Sequence, residues 1–162
     1  MTVPVGIWAG SASAAPGAGF LPLAHDFRAD AKEAAASRRP LLVLFSQAGC
    51  QWCERVRREF LLPMQGNQEY QARVIFRQVD IDQPTPLTGF DGAATSHLAF
   101  AGKMKVRLFP TVMLLGQDGR VLVEPLVGFG IADFYGAYLD ERIDRAAANL
   151  ARSTAPAVPH AR

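Results

Sequence analysis

Ser46-Gln47-Ala48-Gly49-Cys50-Gln51-Trp52-Cys53-Glu54 is the stretch whose reading decides the fold. An apolar run, Leu41-Leu42-Val43-Leu44-Phe45, leads into it, and a helix-compatible segment, Arg55 to Leu62, leads out. A run that is apolar on both faces suits a central strand covered by helices on either side. Cys50 and Cys53 are the only two cysteines in 162 residues. On a helix, residues spaced as these are share a face and can join in a disulfide with little backbone movement. Unpaired N–H groups and the helix dipole at a helix start favour a thiolate. Such thiols titrate at roughly 3.5–7.5 instead of about 8.5. The pattern predicts a dithiol/disulfide site, with an exposed Cys50 attacking a substrate disulfide and a more buried Cys53 resolving the mixed disulfide.

Composition narrows the alternatives. The chain is 49% hydrophobic and 20% charged, enough for a sizeable core in one domain. A net charge of +2 gives no basis for a nucleic-acid partner or an anionic membrane. No apolar run approaches the roughly 20 residues of a membrane helix. Two cysteines in one short motif close a tiny loop and staple little of the chain, so they point to reactivity.

Other readings of the pair stay open. Zinc wants four ligands, and His25, His97 and His160 are not paired at ligand spacing. A copper relay or chaperone is compatible with two thiolates, which suit soft Cu(I). A scaffold or binding role without turnover, with two merely buried cysteines, is the bland reading.

Outward from the site, residues 1–24 read as a flexible leader. Met1 to Phe20 lacks Lys, Arg, Asp and Glu, and Ala12-Ser13-Ala14-Ala15 has the small-residue pattern of a signal-peptidase site, although no basic region precedes it. Residues 25–150 form the expected domain and 151–162 a frayed tail. Within the domain, Asp26–Arg38 reads as a helix ended by Pro40, and Val74–Ile81 as a strand. Gln83–Ala94 reads as a loop, and Ser96 as the cap of a helix through Met104 with Leu98 and Ala101 inward. Val56 and Phe60 are expected on one face with Cys53, and Pro63 is expected to kink or end their helix. Gln117-Asp118-Gly119-Arg120 signals a hairpin turn from strand Thr111–Leu115 into Val121-Leu122-Val123. Ile131, Phe134, Tyr135, Tyr138, Leu139 and Ile143 make the inward stripe of a last helix. His97 reads as a solvated helix residue, Arg57 and Arg58 as a solvated face whose charge can modestly support a thiolate at Cys50, and Asp80 and Asp82 as strand-end residues in water.

Ser46 to Cys53 resembles the active-site segment of thioredoxins. Val106-Arg107-Leu108-Phe109-Pro110-Thr111 resembles that family's second landmark, a proline ahead of a strand. The resemblance spans roughly Asp26 to Leu150. It implies an α/β fold with a mixed central sheet flanked by helices, and a cis Phe109–Pro110 bond beside the cysteines. It also implies a substrate groove at Phe109 and Pro110; Trp52 reads either as a flat apolar platform beside Cys50 for that substrate or as a residue packed against the domain. The implied activity is protein thiol:disulfide oxidoreduction with no metal or organic cofactor, acting on protein disulfides and recharged by a dithiol donor. In an exported, periplasmic setting that donor is membrane-bound; a cytoplasmic setting is the alternative. Phe90-Asp91-Gly92 through Lys105-Val106-Arg107, with Gly128-Phe129, further resembles the sulfur-oxidation-associated (SoxW-type) periplasmic thioredoxins. The chain departs from the family in having Gln51-Trp52 between its cysteines in place of Gly-Pro. It also has Leu44 where thioredoxins bury an Asp. The direction of electron flow, reductase or oxidase/isomerase, is therefore left open by the sequence.

Overall fold

The computed structural model describes residues 19–130 and 132–154. Its first half runs α1 (Phe27–Ser37), β1 (Leu41–Ser46), α2 (Gln51–Val56), a π-helical turn (Arg57–Leu61), α3 (Leu62–Gly66) and α4 (Gln68–Arg73). The second half runs β2 (Ile75–Asp80), β3 (Pro86–Thr88), β4 (Ala94–Ser96), α5 (His97–Lys103), β5 (Thr111–Leu115), β6 (Leu126–Val127) and α6 (Ala132–Thr154). None of these helices is long and apolar enough to cross a membrane.

All of β1 is buried, as its continuous apolar run requires. Because strand side chains alternate between faces, β1 feeds two cores. Leu42 and Leu44 pack with Val56, Leu61, Leu139 and Ile143, so α2, α3 and α6 cover one face. Leu41, Val43 and Phe45 pack with Phe27, Ala34, Phe100 and Ala101, so α1 and α5 cover the other. The sheet order is β2-β1-β5-β6, with β1 parallel to β2 and antiparallel to β5, and β6 antiparallel to β5. This is the mixed, helix-flanked α/β sheet expected from the sequence.

Several local expectations are corrected. The packed unit begins ahead of His25: Leu21 and Ala24 are buried. The Ala24 N–H donates to the Gln78 carbonyl at 2.9 Å, and the Gln78 N–H donates to the Pro22 carbonyl at 2.8 Å. This segment covers the otherwise open edge of β2, a role that composition does not encode. The Ala12–Ala15 pattern lies outside the described residues. At the other end, α6 continues past Leu150 to Thr154.

The Gln83–Ala94 loop contains β3, paired with β4 in a small antiparallel ladder. Pro86 stands at the first position of β3, where a missing N–H is tolerated. After the turn at Gly116–Gly119, Val121 makes a single bridge to Leu115. The Leu122 carbonyl then accepts from Asn149 Nδ2 at 2.6 Å, and the ladder resumes only at β6.

In α5 the inward residues are His97, Phe100 and Ala101, and Leu98 is 56% exposed. Ile131 lies outside the described residues. Tyr135, Leu139 and Ile143 are buried, whereas Phe134 and Tyr138 are exposed. The helix carrying the cysteines neither ends nor breaks at Pro63, because a wide turn precedes it. The Leu62 N–H reaches back to the Arg57 carbonyl, and Pro63, which has no N–H to donate, stands in the first turn of α3.

Candidate active site

Gly49 has φ +72, a left-handed conformation that ends the run out of β1 and turns the chain into α2. The Ala48 N–H beside it donates to Asp82 Oδ2 at 3.2 Å, tying the loop to the segment after β2. Cys50 is the N-cap of α2 and half-buried, and its Sγ accepts from the Cys53 N–H at 3.1 Å. Cys53, one helical turn on, is fully buried. The two sulfurs are bonded at 2.08 Å, with Cα atoms 5.3 Å apart.

On one side of Cys50 lies an open polar cleft of about 550 Å³, lined among others by Glu54, Arg57, Asp80 and Asp82. Arg57 does not belong to a fully solvated face. Its Nη1 pairs with Glu54 Oε2 at 2.9 Å and its Nη2 donates to Ser46 Oγ at 3.3 Å. Its Nε is buried without a partner. Nor does either strand-end aspartate simply face water: Asp80 Oδ1 accepts from Gln78 Nε2 at 2.7 Å, and Asp82 holds Ala48.

On another side is an aromatic cluster. Trp52 is 46% exposed and stacks on Phe129, with ring centroids 5.6 Å apart. Phe129 in turn meets Phe60 and Tyr135. The Arg55 guanidinium lies 4.8 Å from the Phe129 ring and 5.7 Å from that of Trp52. It is steered there by Glu59, whose oxygen Oε1 accepts from Arg55 Nε at 2.9 Å. That hydrogen bond raises the Arg55 pKa and lowers that of Glu59.

The Phe109–Pro110 peptide bond is cis. Phe109 is half-buried and Pro110 buried. In the β1–β5 register Phe45 lies opposite Thr111, the residue that follows Pro110, so the cis bond precedes β5 at the end of the ladder from which the loop to Cys50 leaves β1. Gly128 N–H donates to the Pro110 carbonyl at 2.7 Å, and Thr111 Oγ1 donates to the Leu108 carbonyl at 2.7 Å. Leu108 is 63% exposed beside them.

His97 belongs to the scaffold and is fully buried, not solvated. Leu44 is fully buried and lies opposite Gln78, so no carboxylate stands in β1 behind the cysteines. Among the described residues no group of three or more His, Cys, Asp or Glu could hold a metal ion. The sequence reading missed Ser46 as the second anchor of Arg57. The spacing of Glu54 and Arg57, one turn apart on a helix, was the signal available for their pairing.

Residues 27–141 match the profile of the Thioredoxin-like domain family. The chain belongs to that family. No curated protein matches it. Among solved structures, Fasciola hepatica thioredoxin is similar at 21% identity and a TM-score of 0.52, over 77% of this chain and 98% of that one. A poplar thioredoxin h matches at 18% identity and a TM-score of 0.51, over 73% of this chain and 95% of the other. Mitochondrial thioredoxin 3 of Saccharomyces cerevisiae matches at 18% identity and 0.50, over 76% and 93%. At these identities the thioredoxin-like chain shares their fold.

Proposed function

We propose that this thioredoxin-like protein is a thiol:disulfide oxidoreductase that reduces protein disulfides. The observation that carries the reading is the pairing of a half-exposed Cys50 with a fully buried Cys53 at bonding distance, at the junction of a central strand and a helix. In the dithiol form the Cys50 thiolate attacks one sulfur of a substrate disulfide. A Cys50–substrate bond forms, the substrate S–S bond breaks, and the leaving thiolate takes up a proton. Cys53 then loses its proton and attacks the Cys50 sulfur. The mixed disulfide breaks, the Cys50–Cys53 bond forms, and the second substrate sulfur leaves as a thiol. Two electrons have passed to the substrate, and a dithiol protein returns them. The step uses the two sulfurs and needs no metal or organic cofactor.

In this reading Trp52, in the first turn after Cys50, and the cis Phe109–Pro110 segment supply the surface an extended substrate segment would lie against. An exported location, and a place among sulfur-oxidation-associated thioredoxins, rest on Ala12–Ala15 and the Phe90–Arg107 resemblance. N-terminal sequencing of the mature protein tests the export reading.

Insulin-disulfide reduction with dithiothreitol tests the activity. Cys50→Ser should abolish catalysed turnover, and turnover that survives the substitution sinks the proposal. A reduction potential near about −270 mV supports the reducing direction, whereas one near about −120 mV would make the protein an oxidant.

A further inference from the structure

The cleft beside Cys50 has an unequal charge pattern. Glu54, Asp80 and Asp82 contribute three carboxylates to its lining, and Arg57 is the one cation among the described residues that line it. When the disulfide is reduced, a thiolate at Cys50 adds another negative charge to this cleft. Like charges disfavour ionisation and an adjacent cation favours it. Without Arg57 the charged groups lining the cleft would be carboxylates alone, leaving the Cys53 N–H and the start of α2 to stabilise the thiolate. The strand behind the site offers no ionisable group either, because Leu44 and its β2 partner Gln78 occupy those positions.

Arg57 is also held for such a task. Glu54 and Ser46 fix two of its nitrogens, its side chain is 17% exposed, and its buried Nε retains a donor that none of the described residues satisfies. A guanidinium with fixed placement and spare donor capacity acts on a neighbouring anion more strongly than a freely solvated one. The opposing carboxylates are already engaged: Asp82 by the Ala48 N–H, Asp80 by Gln78, and Glu54 by Arg57 itself.

We infer that Arg57 is the positioning residue that stabilises the Cys50 thiolate, with Glu54 setting the strength of its effect. The inference rests on the oxidoreductase reading for its biological meaning, but it concerns the thiol itself and can be measured without turnover.

The test is the pH dependence of iodoacetamide alkylation of Cys50 in the fully reduced full chain, followed by peptide mass mapping. Arg57→Gln should raise the pH midpoint by about one unit and slow alkylation about tenfold below the wild-type midpoint. Arg57→Lys, which keeps the charge, should recover most of that shift. Glu54→Gln should move the midpoint the other way, because it frees the cation and removes a carboxylate. A general loosening of the site would not give these opposite signs. An unchanged midpoint in Arg57→Gln, or shifts of the same sign in Arg57→Gln and Glu54→Gln, overturns the inference. If Arg57→Gln fails to fold, Glu54→Gln decides, since the Glu54 side chain is half exposed: a midpoint that stays or rises refutes it. A wild-type protein that fails to reduce insulin would remove the proposed activity while leaving this titration readable.

Discussion

The backbone N–H of Asp80 donates to Nδ1 of His97 at 2.9 Å, inside a site where the imidazole has no solvent contact. Because Nδ1 accepts, the ring proton sits on Nε2, which donates to the Ala24 carbonyl at 2.7 Å. One side chain at the start of α5 thereby joins the N-terminal segment to the end of β2. It also satisfies two backbone groups that would otherwise be buried and unpaired. His97→Phe preserves a planar ring but serves neither group. The expected loss is about 3 kcal/mol, read as a lowered midpoint in chemical denaturation, with insulin reduction retained wherever the protein is folded. Unchanged stability would show that these two hydrogen bonds are dispensable.

Tyr135 presents the converse case. Its hydroxyl is buried without a partner, facing a core that gains nothing from it. Tyr135→Phe removes an unsatisfied group while keeping the ring against Phe60 and Phe129. Stability should be unchanged or rise by about 1 kcal/mol. Burial also pushes the Tyr135 hydroxyl above the ordinary tyrosine range. A raised pKa in the folded state means that the unfolded chain releases this proton first. The stabilising contribution is complete below about pH 10 and is lost as pH rises beyond it. Alkaline denaturation should accordingly be shallower in Tyr135→Phe than in the wild type. An equally steep alkaline loss in both would contradict the assignment.

Trp52 divides its surface between Phe129 and solvent. As a platform for protein substrates, its truncation to Ala should lower kcat/KM for insulin about five- to tenfold, mainly through KM. Reduction of a small aromatic disulfide such as dithiobis(nitrobenzoate) should change far less, because such a substrate reaches Cys50 without needing the platform. Equal losses on both substrates would mean that the ring acts by shaping the helix start.

Much of this was legible in the sequence, for reasons that differ by residue. β1 and the Cys50–Cys53 turn could be read because a continuous apolar run and a closely spaced cysteine pair leave strong local marks. His97 could not: a histidine at a helix start carries no local sign that Asp80 and Ala24 will converge on it from distant parts of the chain. The same holds for Leu21 and Ala24, whose burial depends on the open edge of β2. Arg57 looked solvated because its second anchor, Ser46, lies on a different element. Local pattern finds elements and motifs, whereas long-range hydrogen bonds decide which polar residues are buried.

The wide turn at Arg57–Leu61 has a consequence for how the helix is phased. Its inward residues are Cys53, Val56, Leu61 and Met64. The middle interval is longer than one α-helical turn, so Leu61 is fully buried beside the expected Phe60, which packs partly buried on the same core. The turn takes up one extra residue and so rotates α3 against α2. The cysteine end can then be oriented by the end of the central strand β1 while the far end is oriented by the core under α6. Deleting one residue from this turn would restore a regular helix and swing one end by about 100° relative to the other. Either Cys53 would leave its buried position, or Leu61 and Met64 would leave theirs. The turn is a coupling that lets reactive sulfur and core anchor each keep its own alignment.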